Sequence, residues 1–316
     1  MTSDLTEITV VGEDDTGLIA GITSLLFERG INIEDLDQAV REGVFRMTMH
    51  VDTAAMVTTR EKLRADLHDL GEDLGVDVQV RFPSERAATQ IAVLVTRESH
   101  CLAHLLESAA DGELDAEISV VVGNHDDLHP LAERHDVPFY DIGDDRGQPD
   151  EAWLLDILDE HDVDLLVLAR YMRILSPDVV FRYENRIINV HPSLLPAFPG
   201  AHAYVQAVEA GVRIAGVTAH YVTTDLDQGP VITQRAFNVP DDADDESLEA
   251  RGQPLEAEAL LEAVTLHLND EVRVHRGRTS VLADGDDYQL GLPQVVESST
   301  PDQPVDGVPF DQPADD

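Results

Sequence analysis

The feature that most constrains this fold is a series of strand-length apolar runs: IAVLV at 91–95, EISVVV at 117–122, PFYDI at 138–142, DLLVLA at 164–169 and IINV at 187–190. Helical patterns alternate with them, from Cys101, from Asp127, over Glu151–Glu160 and briefly near Asp178. Strands apolar on both faces must be covered on both faces, which predicts a mostly parallel sheet sandwiched by helices. Such sheets bind ligands beyond the carboxyl ends of their strands. The run NVHPSLLPAFPGAH, 189–202, starts at such an end, setting Asn189 and His191 two residues apart before prolines and a glycine end regular structure. After a helix over Tyr204–Ala210, GVTAHYV and VITQRAF form strands joined by TTDLDQGP, and a last helix runs from about Ser247 to Leu268.

The first 82 residues have a different rhythm. Thr6–Val11 is a strand, Gly17–Arg29 a helix closed by Gly30, and Ile33–Val40 a second strand. Val44–Val51 alternates, with Phe45, Met47, Met49 and Val51 on one face and Arg46, Thr48 and His50 on the other. A helix over Met56–Leu74 and a strand over Val76–Phe82 complete β-α-β-β-α-β, the ferredoxin-like order. The chain therefore divides into an N-terminal unit at 1–83, a polar linker at 84–90, a larger α/β unit at 91–282, and an acidic tail at 283–316 whose Asp, Pro, Gln, Ser and Gly content predicts disorder.

A net charge of −42, from 63 acidic and 21 basic residues, would suit a disordered chain were the hydrophobic content not 43%. Acidic residues are spread through the helices and Lys62 is the sole lysine, which together predict a halophilic surface whose self-repulsion is screened by salt. An acidic partner-binding protein is the alternative. Nucleic acid is excluded as a partner for want of a basic face. One cysteine, Cys101, rules out an internal disulfide, and with no signal peptide and no apolar run of about 18 residues the expected place is the cytoplasm, with no membrane association.

Asn189 and His191, at i and i+2 of a strand, share a face. An amide N–H can stabilise a developing oxyanion while an imidazole moves a proton. Asp227, in LDQGP, is the carboxylate that could orient the ring and polarise a water. Spacing alone leaves a structural role for these residues open.

The run from Asn189 to Gln234 resembles the signature of the hydrolases and transferases that use 10-formyltetrahydrofolate, and LARYMRILSP at 168–177 resembles their folate-lining segment. VTRESHCLAHLL and VVGNHDDLHPLAERHDVPF extend the likeness over 91–282. The resemblance implies a Rossmann-like formyltransferase fold, catalysis by Asn189, His191 and Asp227, and substrate contacts at Met172, Arg173, Ile174, Leu175, Val222 and Thr223. VVGEDDTGLIAGITSLLFERGINIEDLDQ resembles an ACT domain, as in formyltetrahydrofolate deformylases, and implies an amino-acid effector near Asp14, Asp15, Gly17 and Asn32 and a homo-oligomer. At the last four positions, helix capping by Asp15 or Thr16 is an equal reading.

The implied reaction is hydrolysis of 10-formyltetrahydrofolate to tetrahydrofolate and formate, feeding purine biosynthesis and balancing one-carbon metabolism, with no tightly bound cofactor and no metal. The related transferases carry a glycine-rich phosphate loop where this chain has Thr96-Arg97-Glu98-Ser99-His100-Cys101, and Glu98 would repel phosphate. Pro192, by contrast, stands where the deformylases have a second histidine, as does Leu194 where they have phenylalanine. A formyltransferase such as glycinamide ribonucleotide formyltransferase, or an amino-acid sensor with an inactive catalytic unit, are the alternatives. Asn124–His129 is expected to cap a helix, Cys101 to be a small apolar residue at a helix start, and His220 to be either a cleft or a core residue.

Overall fold

The computed structural model describes residues 5–82, 88–275 and 277–281. The tail at 283–316 and the linker up to residue 87 lie outside them.

The N-terminal unit comprises β1 (Thr6–Glu13), α1 (Leu18–Glu28), β2 (Asn32–Arg41), β3 (Val44–Asp52), α2 (Arg60–Leu74) and β4 (Val76–Arg81). Its sheet is antiparallel in the order β2-β3-β1-β4. Phe45, Met47, Met49 and Val51 of β3 are buried under α1 and α2 with Ile22, Leu26, Leu63 and Leu67, as the alternation requires. Two helix starts differ in detail from the sequence reading. The second helix begins at Arg60, because the Thr59 side chain accepts the Lys62 N–H and fixes the cap there. The first is entered through Gly17 at φ 94°, while Asp15 accepts the adjacent Thr16 N–H instead of capping the helix.

The second unit is built from β5 (Thr89–Val95), α3 (His100–Ala110), β6 (Ala116–Gly123), a 3-10 turn at Asp126–Leu128, α4 (His129–Glu133), β7 (Phe139–Asp141), α5 (Glu151–Glu160), β8 (Leu165–Ala169), α6 (Pro177–Arg182), β9 (Ile187–His191), α7 (Ala203–Glu209), β10 (Ile214–Tyr221), β11 (Val231–Asn238) and α8 (Asp245–Leu268). Its seven strands run β11-β10-β9-β8-β5-β6-β7. Pairing is parallel from β9 through β7, and antiparallel only where β10 meets β9 and β11. One apolar layer, with Val93, Leu102, Leu105, Val167 and Leu260, lies under α3 and α8, and the other, with Leu94, Leu154, Leu166 and Val179, under α5 and α6. A hairpin of β12 (Val272–His275) and β13 (Arg278–Val281) follows. Asp244 caps α8 in a reciprocal capping box with Ser247.

The polar face of β3 turns toward the second unit. Arg46 is 2% exposed, ion-paired to Asp37 of β2 and Glu184 after α6, with its guanidinium 5.7 Å from the Phe181 ring. Arg41 of β2 meets Asp225 at 2.8 Å, and Arg182 of α6 pairs with Asp77 of β4. A cavity of about 1030 Å³ lies between the units, bounded by Thr48 and His50 on one side and Arg186, Val222 and Thr223 on the other. No helix among the described residues is long and apolar enough to cross a membrane.

Candidate active site

Asn189 and His191 end β9 and are held by its antiparallel pairing with β10, which sets Thr218 opposite His191 and His220 opposite Asn189. The irregular chain after His191 is pinned to the same strands. Thr218 Oγ1 donates to the Ser193 carbonyl at 2.7 Å and accepts the Leu195 N–H at 3.0 Å, while Gln234 of β11 donates to Thr218 Oγ1 and to the Leu195 carbonyl. Backbone groups of this proline-rich loop that have no ladder partner are thus satisfied in part by side chains.

His191 Nε2 lies 2.9 Å from the Phe198 carbonyl and Nδ1 3.4 Å from Asp227 Oδ2. Both side chains are 7% exposed. Asp227 Oδ2 also accepts the Gly200 N–H at 2.7 Å, so one carboxylate ties the loop before β11 to the loop after β9. Asp227 itself sits at φ 52°, a conformation aspartate tolerates better than bulkier residues.

His220 completes the cluster. Its Nδ1 lies 2.8 Å from the Tyr221 carbonyl, which only accepts, so Nδ1 carries the hydrogen and Nε2 is the acceptor. Asn189 Nδ2 is 3.2 Å from that Nε2 and donates to it, which fixes the amide with its nitrogen inward and leaves its second N–H free. Burial lowers the His220 pKa, outweighing the Tyr221 hydrogen bond and the Asp227 charge, so the ring is held neutral. The alternation of GVTAHYV left its role open; its place between Asn189 and Asp227 is a product of strand pairing.

Gly229, in LDQGP, makes this packing possible. A Cβ there would overlap the Tyr221 carbonyl oxygen and approach His220 Nδ1 to 3.4 Å. Gly229→Ala is expected to displace the Asp227 loop and lower turnover on the order of a hundredfold, since misplacements near 1 Å cost that much. Steady-state kinetics beside a thermal melt would check it.

Of the residues expected to contact substrate, Met172 and Ile174 project at the end of β8 at 49% and 74% exposure, apolar surface that a flat ligand would cover, whereas Leu175 is buried. The Met172 N–H donates to Thr96 Oγ1 at 2.9 Å, locking the ends of β8 and β5 together. Arg173 turns away from the apolar rim, donating to the Gly147 and Arg146 carbonyls at 2.7 and 3.2 Å. Val222 and Thr223 line the cavity between the units. Asp14, Asp15, Gly17 and Asn32 lie exposed in the N-terminal unit, where Asn32 donates to Glu34.

Beside the Asn189–His191–His220–Asp227 cluster lies a network that no local pattern in the sequence predicts. Arg170, directly after β8, donates to both Glu98 oxygens at 2.9 and 3.0 Å and lies 3.3 Å from Glu256 Oε2. His100 Nε2 is 3.1 Å from the same Glu256 oxygen, and Tyr204 Oη donates to the other at 2.5 Å. Burial would raise the Glu256 pKa, but His100, Arg170 and Tyr204 together hold it below the usual range, and burial and Glu256 push the Tyr204 hydroxyl upward. His100, Cys101 and Glu256 bring their ligand-type atoms within 4.8 Å of one another. The Arg170 cation already neutralises that carboxylate, and burial and Glu256 raise the Cys101 thiol pKa, which disfavours the thiolate that a metal would need.

Comparison with known proteins follows the two units. Residues 7–81 match the ACT domain model and residues 89–264 the formyl transferase model. The formyltetrahydrofolate deformylase of Bacillus subtilis is 38% identical over 273 residues, covering 85% of this chain and 90% of that one. The chain belongs to the formyltetrahydrofolate deformylase family. A deformylase crystal structure from Pseudomonas syringae matches with a TM-score of 0.60 at 31% identity, covering 88% of this chain and 94% of that chain. A phosphoribosylglycinamide formyltransferase from Anaplasma phagocytophilum matches with a TM-score of 0.59 at 33% identity, covering 97% of its own length but 63% of this chain. The deformylases extend across both units.

Acid should destabilise this fold through its buried rings. Burial lowers the pKa of His267, as it does that of His220. Below the ordinary histidine value of about 6.5 the unfolded chain binds protons that these rings do not. Their contribution is therefore complete above that value and shrinks as pH falls below it. Urea midpoints at fixed high salt should drop from pH 7.5 to 5.5, and His267→Gln should flatten the slope.

Proposed function

We propose that the protein hydrolyses 10-formyltetrahydrofolate to tetrahydrofolate and formate. The observation that carries this is the convergence of the free Asn189 N–H, the His191 ring and the buried Asp227 carboxylate at the end of β9, in a chain that deformylases match across both units. Asn189 donates to the formyl oxygen as it becomes an oxyanion. Asp227 polarises the attacking water and orients His191. As water attacks the formyl carbon it passes a proton to His191; when the tetrahedral intermediate collapses, the C–N10 bond breaks, the nitrogen takes that proton back from His191, and formic acid leaves and ionises to formate. Met172, Ile174 and the neighbouring backbone hold the folate ring; of the other expected contacts, Leu175 is buried, Arg173 binds the Gly147 and Arg146 carbonyls, and Val222 and Thr223 lie toward the amino end of β9.

The remaining expectations belong to the same reading: an ACT regulatory unit at 1–83 binding an amino acid near Asp14, Asp15, Gly17 and Asn32, a catalytic unit at 91–282, a homo-oligomer in a salt-rich cytoplasm, and formate supplied to purine synthesis. Pro192 after His191 favours a second reading, formyl transfer to an amine. Incubating the protein with 10-formyltetrahydrofolate in high salt, with and without phosphoribosylglycinamide, separates them. Hydrolysis gives formate without acceptor. Acceptor-dependent loss of the formyl group would overturn it.

A further inference from the structure

The Glu98–Arg170–Glu256 network lies beside the end of β9 that carries Asn189 and His191. Leu168 of β8 pairs with Asn189 of β9, so two residues further along the same register Arg170, directly after β8, falls opposite His191, the last residue of β9. Val95 of β5 pairs with Ala169, which brings the chain carrying Glu98 alongside. These carboxyl ends, together with the N-terminal end of the 11-residue α3, form the part of the sheet suited to a phosphate. Here the protein fills it with its own ions. The Arg170 fork, the group best shaped to grip a phosphate, is spent on both oxygens of Glu98. Glu256, 0% exposed, anchors the assembly from α8, and Gly252 lets Tyr204 pack close enough to bond it, since a Cβ there would overlap the Tyr204 hydroxyl.

Glu98, at 32% side-chain exposure, is the solvent-facing carboxylate of the network and repels a phosphorylated compound, whereas the Arg170 side chain is 11% exposed. Arg170 holds this place at φ 62°, a strained conformation for a long side chain. We propose that this network is the specificity determinant that excludes phosphorylated amine acceptors and leaves water as the only nucleophile reaching the formyl carbon. The proposal rests on the hydrolytic reading above and assigns Glu98 the decisive role: it occupies the arginine fork.

Glu98→Ser tests this while leaving the Arg170–Glu256 pair intact. Formate release from 10-formyltetrahydrofolate would be measured against rising phosphoribosylglycinamide, and separately against inorganic phosphate, at constant ionic strength. The parent is expected to be insensitive. The variant is expected to be inhibited competitively by phosphoribosylglycinamide at a concentration at least tenfold lower than any that affects the parent, with KM for the folate unchanged in the absence of inhibitor. Glu98→Asp should restore insensitivity. Should Glu98→Ser not fold, Glu98→Ala, which likewise frees the arginine fork, carries the same expectation. Equal sensitivity of parent and variant, or a folded variant that stays insensitive, would overturn the exclusion role. A parent that releases no formate without acceptor would instead overturn the hydrolytic reading.

Discussion

Replacing Asn189 with alanine should lower formate release by about two to three orders of magnitude while leaving the fold intact. The side chain spends one N–H on His220 Nε2, and its second N–H is free to meet a formyl oxygen in the proposed mechanism. Its loss removes the only side-chain amide that this cluster offers to a developing oxyanion. The fall should lie in kcat, with KM little changed, because the donor matters most in the transition state. His220 loses a partner but keeps its bond to the Tyr221 carbonyl, so the melting temperature should move by only a degree or two. Asn189→Asp gives a sharper contrast. It is nearly isosteric, but places a carboxylate where negative charge develops, and should be at least as damaging as alanine. Wild-type turnover from either variant would remove Asn189 from the mechanism.

The second large effect is on stability. Arg170→Met should destabilise the protein by about 3–5 kcal/mol, because it leaves the fully buried Glu256 carboxylate with His100 and Tyr204 but without its cation. The reason is desolvation: a buried charge pair contributes little net stability, whereas half of one is costly. The double variant Arg170→Met/Glu256→Leu should therefore recover much of the loss, giving a strong coupling in a double-mutant cycle measured by urea unfolding in high salt. Additive losses would mean that the two side chains act independently.

The apolar runs made the sheet legible, because only a strand covered on both faces tolerates residues such as those of IAVLV and DLLVLA. Alternation in β3 likewise identified the face bearing Phe45, Met47, Met49 and Val51. Alternation could not say what covers the opposite face: Arg46, on a polar side, is buried by ion pairs to Asp37 and Glu184 from elsewhere in the chain. The β12–β13 hairpin was not foreseen, since VRVH and RTSV are too short to carry a period.

The sequence by itself determined the two-unit α/β organisation, because strand periodicity is a local property of the chain, while its resemblance to formyltetrahydrofolate-using enzymes singled out Asn189, His191 and Asp227 as candidates. Only the tertiary structure decided how these side chains are arranged. Pairing of β9 with β10 set His220 against Asn189 and thereby oriented the amide. The convergence of β5, β8 and α8 joined Glu98, Arg170 and Glu256 across 158 positions of sequence into one network beside the site. Ion pairs over such separations depend on how the helices and strands pack, and packing distance is not encoded in spacing along the chain.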